Sequence, residues 1–75
     1  MLVVVQMLGE LQKYIKDKEE RVEVPEGTTV GELAKLLGLT PEESWSAAMN
    51  GKLAYPEDPL TDGVVVMVFP PIAGG

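Results

Sequence analysis

Two valine-rich runs near opposite ends of the chain constrain its fold more than any other feature. Residues 2–8 include Val3, Val4 and Val5, and residues 64–69 are entirely apolar. β-Branched residues favour strands, and runs without polar alternation are typical of strands that are buried on both faces. A chain of 75 residues has room for one domain with one core. We therefore expect the two runs to pair side by side at the centre of a sheet.

A single main helix is predicted in the middle of the chain. Thr29 and Glu32 have the spacing of a capping box, and Gly38 stands where a helix would stop. Four apolar residues between these signals fall on one face of a helix: Val30, Leu33, Ala34 and Leu37. Thr40 and the proline after it repeat the start signal, which predicts a short helix or turn through Trp45.

Turn signals predict the remaining strands. Residues 21–24 alternate between polar and apolar, as a half-buried strand does. Asn50-Gly51 favours a type I′ turn, which predicts that residues 47–49 pair with residues 53–55. Residues 9–20 are polar with apolar insertions, a pattern that fits one or two helical turns or a loop anchored on the core.

These elements predict an α+β domain in which one main helix packs across one face of a mixed sheet. With the first and last strands at the centre, this is the β-grasp, or ubiquitin-like, arrangement. We expect residues 1–69 to form the domain. Residues 70–75 begin with Pro70 and Pro71, which stiffen the chain, so we expect them to form an extended C-terminal Gly-Gly tail.

The face of the sheet opposite the helix is expected to be apolar. Because side chains alternate along a strand, Val65, Met67 and Phe69 should share one face of the last strand. An uncovered patch of this kind would suit docking on a partner protein. The alternative is that Trp45, Tyr55 or the 9–20 segment folds over it.

The composition leaves few catalytic groups. The chain has no Cys and no His, which removes thiolate chemistry, the commonest general base and the usual transition-metal ligands. Twelve acids against six bases give a net charge of −6, which disfavours nucleic acid and anionic membranes as partners. Apart from three acids (Glu57, Asp58 and Asp62), which are expected to be solvated, nothing suggests a cation site. We expect a cytoplasmic protein, not an enzyme, that binds no metal or cofactor itself.

Four segments resemble the ThiS/MoaD family of ubiquitin-like sulfur carriers. They are the capped helix start at 29–33, the turn at 49–52, the turn at 59–63 and the ending at 69–75. The ending, Phe-Pro-Pro-Ile-Ala-Gly-Gly, is the most specific, and it is similar to that of the molybdopterin synthase small subunit, the MoaD type.

The resemblance implies a reaction at the C-terminal carboxylate of Gly75. In this family an E1-like enzyme uses ATP to adenylate the carboxylate, and a persulfide sulfurtransferase supplies the sulfur of a thiocarboxylate. In molybdopterin synthase the tail then threads into the large subunit and donates sulfur during molybdenum or tungsten cofactor biosynthesis. The residues implied in tail threading are Pro70, Pro71, Ile72, Ala73 and Gly74. Those expected at the partner interface are Val65, Met67 and Phe69.

Three other functions remain open at this point. The chain could carry sulfur for thiazole or another sulfur metabolite. It could be a ubiquitin-like modifier, whose carboxylate forms an isopeptide bond with lysine. It could also be a β-grasp interaction module with an inert tail.

Overall fold

The computed structural model describes residues 1–15, 18–39 and 45–70. They form a five-stranded sheet, one α-helix and one 3₁₀ helix. In chain order these are β1 (Leu2–Met7), the 3₁₀ helix (Gly9–Tyr14), β2 (Glu19–Glu23), α1 (Val30–Leu36), β3 (Ser46–Met49), β4 (Lys52–Ala54) and β5 (Val65–Phe69). No helix in these ranges is long and apolar enough to span a membrane.

The sheet has the strand order β2-β1-β5-β3-β4. The two valine-rich strands, β1 and β5, lie next to each other and run parallel, with Val5 opposite Val66. The other three pairings are antiparallel. The central pairing, the mixed sheet and the single main helix confirm the β-grasp fold that the sequence predicts.

One face of the sheet carries the hydrophobic core. Helix α1 packs on this face with three buried residues, Val30, Leu33 and Ala34. Opposite them lie the buried sheet residues Val3, Val5, Met7, Ala47, Ala54, Val66 and Val68. The 3₁₀ helix and the segment after it add Leu11 and Ile15, which confirms that the 9–20 region contains helical turns anchored on the core.

Both ends of α1 have the predicted chemistry. The Thr29 hydroxyl accepts a hydrogen bond from the Glu32 amide at 3.3 Å, and the Glu32 carboxylate accepts one from the Thr29 amide at 2.9 Å. This reciprocal pair is a capping box. Gly38 follows the helix with a φ of +87°, the left-handed conformation that ends helices.

The predicted hairpin is also confirmed. Asn50 and Gly51 have φ values of +50° and +84°, as a type I′ turn requires. They join β3 to β4 with Met49 opposite Lys52, so residues 47–49 pair with residues 52–54. The predicted partner segment, residues 53–55, is therefore wrong by one residue, because a two-residue turn places Lys52 directly opposite Met49. The second short helix was predicted over residues that include 40–44, which lie outside the described ranges.

The prediction that β1 and β5 are buried on both faces is wrong. Val65 is exposed and Val4, Met67 and Phe69 are only half-buried. The reason is architectural, since α1 is packed on one side of the sheet and the described residues form no second layer on the other. The apolar composition of these strands therefore does not show whether one face or both faces are buried.

Candidate functional site

Strand β5 leads from the centre of the sheet directly toward the predicted tail. Phe69 is its last residue, and Pro70 follows as a half-buried residue outside the strand. The other residues predicted to thread into a partner, Pro71, Ile72, Ala73 and Gly74, lie outside the described ranges, as does the predicted reacting residue, Gly75. Of the six tail residues, the structure therefore describes only Pro70, which we call the base of the tail.

The end of β1 lies against this base. The Leu8 amide donates a hydrogen bond to the Val68 carbonyl at 2.9 Å, which extends the β1–β5 ladder one residue beyond β1. Gly9 comes next, with a φ of +60°, and a Cβ built on it would lie 3.3 Å from Pro70 Cγ. In the sequence, Gly9 stands directly after the first valine-rich run, and nothing there indicates a contact with Pro70.

The side chains of β5 divide between the two faces as predicted. Val66 and Val68 belong to the core, as does Val64, the residue before the strand. Val65, Met67 and Phe69 lie on the opposite face, which we call the outer face. The three predicted interface residues therefore share one surface that leads toward the tail.

Neighbouring strands continue this apolar surface. Ala48 of β3 lies opposite Met67, and Leu53 of β4 lies opposite Ala48 with 55% of its surface exposed. Val65, Met67 and Ala48 line a shallow concavity of about 90 Å³ with Asn50 and Gly51.

The outer face becomes polar toward β2. Gln6 lies opposite Met67 on one side and Glu19 on the other, and the Gln6 amide donates a hydrogen bond to the Glu19 carboxylate at 3.2 Å. Arg21 lies opposite Val4. An apolar centre bordered by polar groups is the usual composition of a protein-binding surface.

The residues that could have covered this face mostly pack elsewhere. Trp45 is 7% exposed and belongs to the same core as Leu11 and Ile15, on the helix side of the sheet. Its indole N–H is buried and has no hydrogen-bond partner among the residues that the structure describes. Tyr55 is 53% exposed at the end of β4. The alternative in which Trp45 or the described part of the 9–20 segment covers the outer face is therefore wrong.

Two of the acids that the sequence left as solvated have structural partners. Asp58 accepts a hydrogen bond from the Tyr55 amide at 2.9 Å, and Asp62 accepts one from the Leu2 amide at 2.8 Å. The first is a short-range turn contact, but the second joins residues 60 positions apart and has no signal in the local sequence. In the described ranges, no group of three potential ligands is placed to hold a metal ion.

The arrangement is suited to binding. The outer-face side chains of β3, β4 and β5 are Ala48, Leu53, Val65, Met67 and Phe69, together with Ser46 opposite Phe69. The five apolar groups among them can neither donate nor accept a proton, so this surface offers hydrophobic contact area instead of acid–base chemistry.

Solved structures of several archaeal and bacterial proteins are similar to this chain. SAMP1 from Haloferax volcanii has a TM-score of 0.76 at 21% sequence identity, with 100% of each chain covered, which establishes the fold alone. A putative molybdopterin converting factor, subunit 1, from Pyrococcus furiosus has a TM-score of 0.79 at 27% identity, over 95% of this chain and 98% of that one.

A third similar structure is a complex of subunits 1 and 2 of molybdopterin-converting factor from Helicobacter pylori. The matched chain has a TM-score of 0.65 at 26% identity, with 100% of each chain covered. No curated protein matches the sequence.

The family comparison covers nearly the whole chain. The model of the ThiS family matches residues 5–75, from the first strand through the Gly-Gly ending. The fold agrees with this match, because its neighbours are ubiquitin-like β-grasp proteins. The chain belongs to the ThiS family of ubiquitin-like proteins.

Proposed function

We propose that this protein is a sulfur carrier of the MoaD type, which acts through the carboxylate of Gly75 as the small subunit of molybdopterin synthase. The observation that carries the proposal is the extent of the family match, which includes Gly75 as well as the folded domain. The similarity to two molybdopterin-converting factor structures, at 27% and 26% identity, supports the MoaD type over other carriers.

The chemistry begins with an unreactive group. A carboxylate is ionised at neutral pH and is a poor acyl electrophile. An E1-like partner would transfer AMP from ATP to Gly75 and release pyrophosphate. Hydrosulfide attack on the carbonyl carbon would then expel AMP and leave a thiocarboxylate. With a persulfide donor the first product is an acyl disulfide, which a second thiol reduces to the same thiocarboxylate.

The tail contributes its extended length and, at its end, a backbone without bulky side chains. From Pro70 to Gly75 it has six residues, which span roughly 20 Å when extended. Gly74 and Gly75 lack a Cβ, so the backbone could approach a nucleotide closely inside a channel. Pro70 and Pro71 reduce the conformational entropy that is lost when the tail is held straight.

The outer face supplies the docking surface in this proposal. Met67 and Phe69 precede the tail on the same strand, so a partner that binds them also lies beside the tail entrance. Docking would hold the folded domain outside the partner while Gly75 reaches the site. The activating enzyme, the large subunit and the sulfurtransferase would provide ATP binding and catalysis, and the carrier would provide the reacting carboxylate.

Intact-protein mass spectrometry tests the carrier chemistry. The protein is incubated with ATP, hydrosulfide and an E1-like activator that has been shown to work on another carrier. We expect a mass gain equal to the replacement of one oxygen by one sulfur. An unchanged mass with this competent activator would contradict the proposal, and conjugates with other proteins would indicate a modifier instead.

Deletion of Gly75 is the matched control for this reaction. The deletion should abolish the mass gain, because the shortened chain ends in Ala73-Gly74 instead of Gly-Gly and its carboxylate lies one residue earlier. It should leave the midpoint of thermal unfolding unchanged, since the described core extends only from Val3 to Val68. A large drop in thermal stability would show that Gly75 is structural.

The sulfur acceptor is tested separately. The family model carries the name ThiS, so a thiazole carrier is the second candidate. The purified thiocarboxylate is incubated with the large subunit of molybdopterin synthase and cyclic pyranopterin monophosphate, and in parallel with a thiazole synthase. Formation of molybdopterin alone would support the MoaD type, and thiazole formation alone would overturn it.

A further inference from the structure

The base of the tail is packed against a position that has no side chain. A Cβ on Gly9 would lie 3.3 Å from Pro70 Cγ and 3.6 Å from Pro70 Cδ. The first distance is tighter than an ordinary van der Waals contact, so either the proline ring or the backbone of Gly9 would have to move. A side chain at position 9 would therefore shift the proline ring or the backbone by a few tenths of an ångström, which glycine avoids.

The backbone of Gly9 explains how this close approach arises. Strands β1 and β5 are parallel, so their carboxyl ends reach the same edge of the sheet. Their ladder continues to the bond between the Leu8 amide and the Val68 carbonyl. Beyond it the two chains must separate, and Gly9 turns the first chain into the 3₁₀ helix at a φ of +60°.

We propose that Gly9 is a positioning residue for the tail: it fixes the direction in which the chain leaves the domain at Pro70. The proline contributes because its ring locks its own φ and presents a rigid edge to Gly9. The consequence for sulfur transfer rests on the proposed function, but the direction of the tail is a property of the free protein.

A small displacement at the base would have a large effect at the tip. For an extended tail of roughly 20 Å, a rotation of about 10° at Pro70 moves the carboxylate of Gly75 by roughly 3–4 Å. Misplacement of a reacting group by about 1 Å can lower an enzymatic rate on the order of 100-fold. The direction set at Gly9 therefore determines how often a docked carrier has its tail aligned with a narrow channel.

The chain offers a matched control for the backbone strain. Gly27 also has positive φ, +90°, but a Cβ built on it meets nothing within 4 Å. Gly9→Ala and Gly27→Ala both place a side chain in the left-handed region, and only Gly9→Ala meets Pro70. Gly9→Asn is a second test variant, because asparagine tolerates this φ better than alanine and still carries the Cβ.

The tail direction can be measured without any partner. The sequence has no cysteine, so Ala73→Cys gives a single site for a nitroxide spin label. Paramagnetic broadening of the domain's backbone amides then maps the region that the tail visits. Gly27→Ala should give the map of the parent chain, whereas Gly9→Ala and Gly9→Asn should broaden a different set of amides. An unchanged map in both Gly9 variants would overturn the inference.

The activating enzyme supplies the functional measurement on the unlabelled chain. We expect kcat/KM for adenylation to fall on the order of tenfold or more in Gly9→Ala. The double variant Gly9→Ala/Pro70→Ala should give the same label map as Pro70→Ala alone, because the two ring carbons that a Cβ on Gly9 would meet are absent from both. If the parent chain is never adenylated, the proposed function fails, and the label maps still decide the role of Gly9. Altered maps with unchanged kcat/KM would overturn the role of Gly9 in the reaction.

Discussion

The two sides of β5 have similar side chains and opposite environments. On one side Val66 is 0% exposed and packs in the core under α1. On the other side its neighbour Val65 is 36% exposed, and Met67 and Phe69 are half-buried. The strand is equally apolar on both sides, so the helix, which packs on only one of them, makes the difference.

Because of this difference, the core side of β5 contributes to the stability of the fold and the outer face is available for binding a partner. Apolar area on the core side leaves water when the chain folds, which contributes about 25 cal/mol for each Å². Apolar area on the outer face remains in water after folding, and it can contribute the same kind of free energy only when a partner covers it. The comparison predicts that core-side substitutions change folding and that outer-face substitutions change association.

The largest effect is expected from a charge on the core side of β5. Val66→Asp places a carboxylate where the wild-type side chain is fully buried, which costs at least about 4 kcal/mol of unfolding free energy. A domain of this length is stabilised by roughly 4–11 kcal/mol, so we expect little or no folded protein. Circular dichroism during urea titration measures this.

Val65→Asp is the control on the outer side of the same strand. The carboxylate remains in water there, and the cost should be about 1–2 kcal/mol, mainly from poorer strand propensity and packing. Equal destabilisation by the two variants would show that the outer face is covered in the folded protein. It would contradict the difference in environment between the two faces of β5.

Much of the backbone could be predicted because its signals are local. The capping box at Thr29 and Glu32 and the Asn50-Gly51 turn each depend on a few consecutive residues, and the structure has them as predicted. The pairing of β1 with β5 is long-range, but these are the two most apolar runs, which leaves few other arrangements. The roles assigned to the tail residues stay predictions.

The parts that sequence reasoning missed depend on distant contacts. Burial of β1 and β5 on one face only could not be read from their composition, since it depends on how many layers the domain has. The Leu2–Asp62 hydrogen bond and the Gly9–Pro70 packing join opposite ends of the chain. Each becomes visible only when β1 and β5 are known to be neighbours in parallel.

A second prediction tests whether α1 makes the two faces different. Leu33 is 1% exposed on the buried side of the helix, and Leu36 is 65% exposed on the other side. Leu33→Ala should lower the unfolding free energy by about 2–5 kcal/mol, because it removes core contacts and leaves a cavity. Leu36→Ala should change it by less than about 0.5 kcal/mol. Chemical denaturation of both variants measures the difference, and similar values would contradict the assignment of the covered face.

The smallest effect, and the one that addresses the outer face directly, is expected from Met67→Gln. Glutamine has nearly the length of methionine and no charge, and Met67 is half-buried, so the unfolding free energy should change by about 1 kcal/mol or less. Binding to the activating enzyme, measured by isothermal titration calorimetry, should weaken about tenfold, since a polar group would be buried at the centre of an apolar contact. Leu36→Gln makes the same kind of change at an exposed leucine across the domain and should leave the affinity unaltered. If both variants bind as the wild type does, the partner docks elsewhere, and the apolar side of β5 has another use.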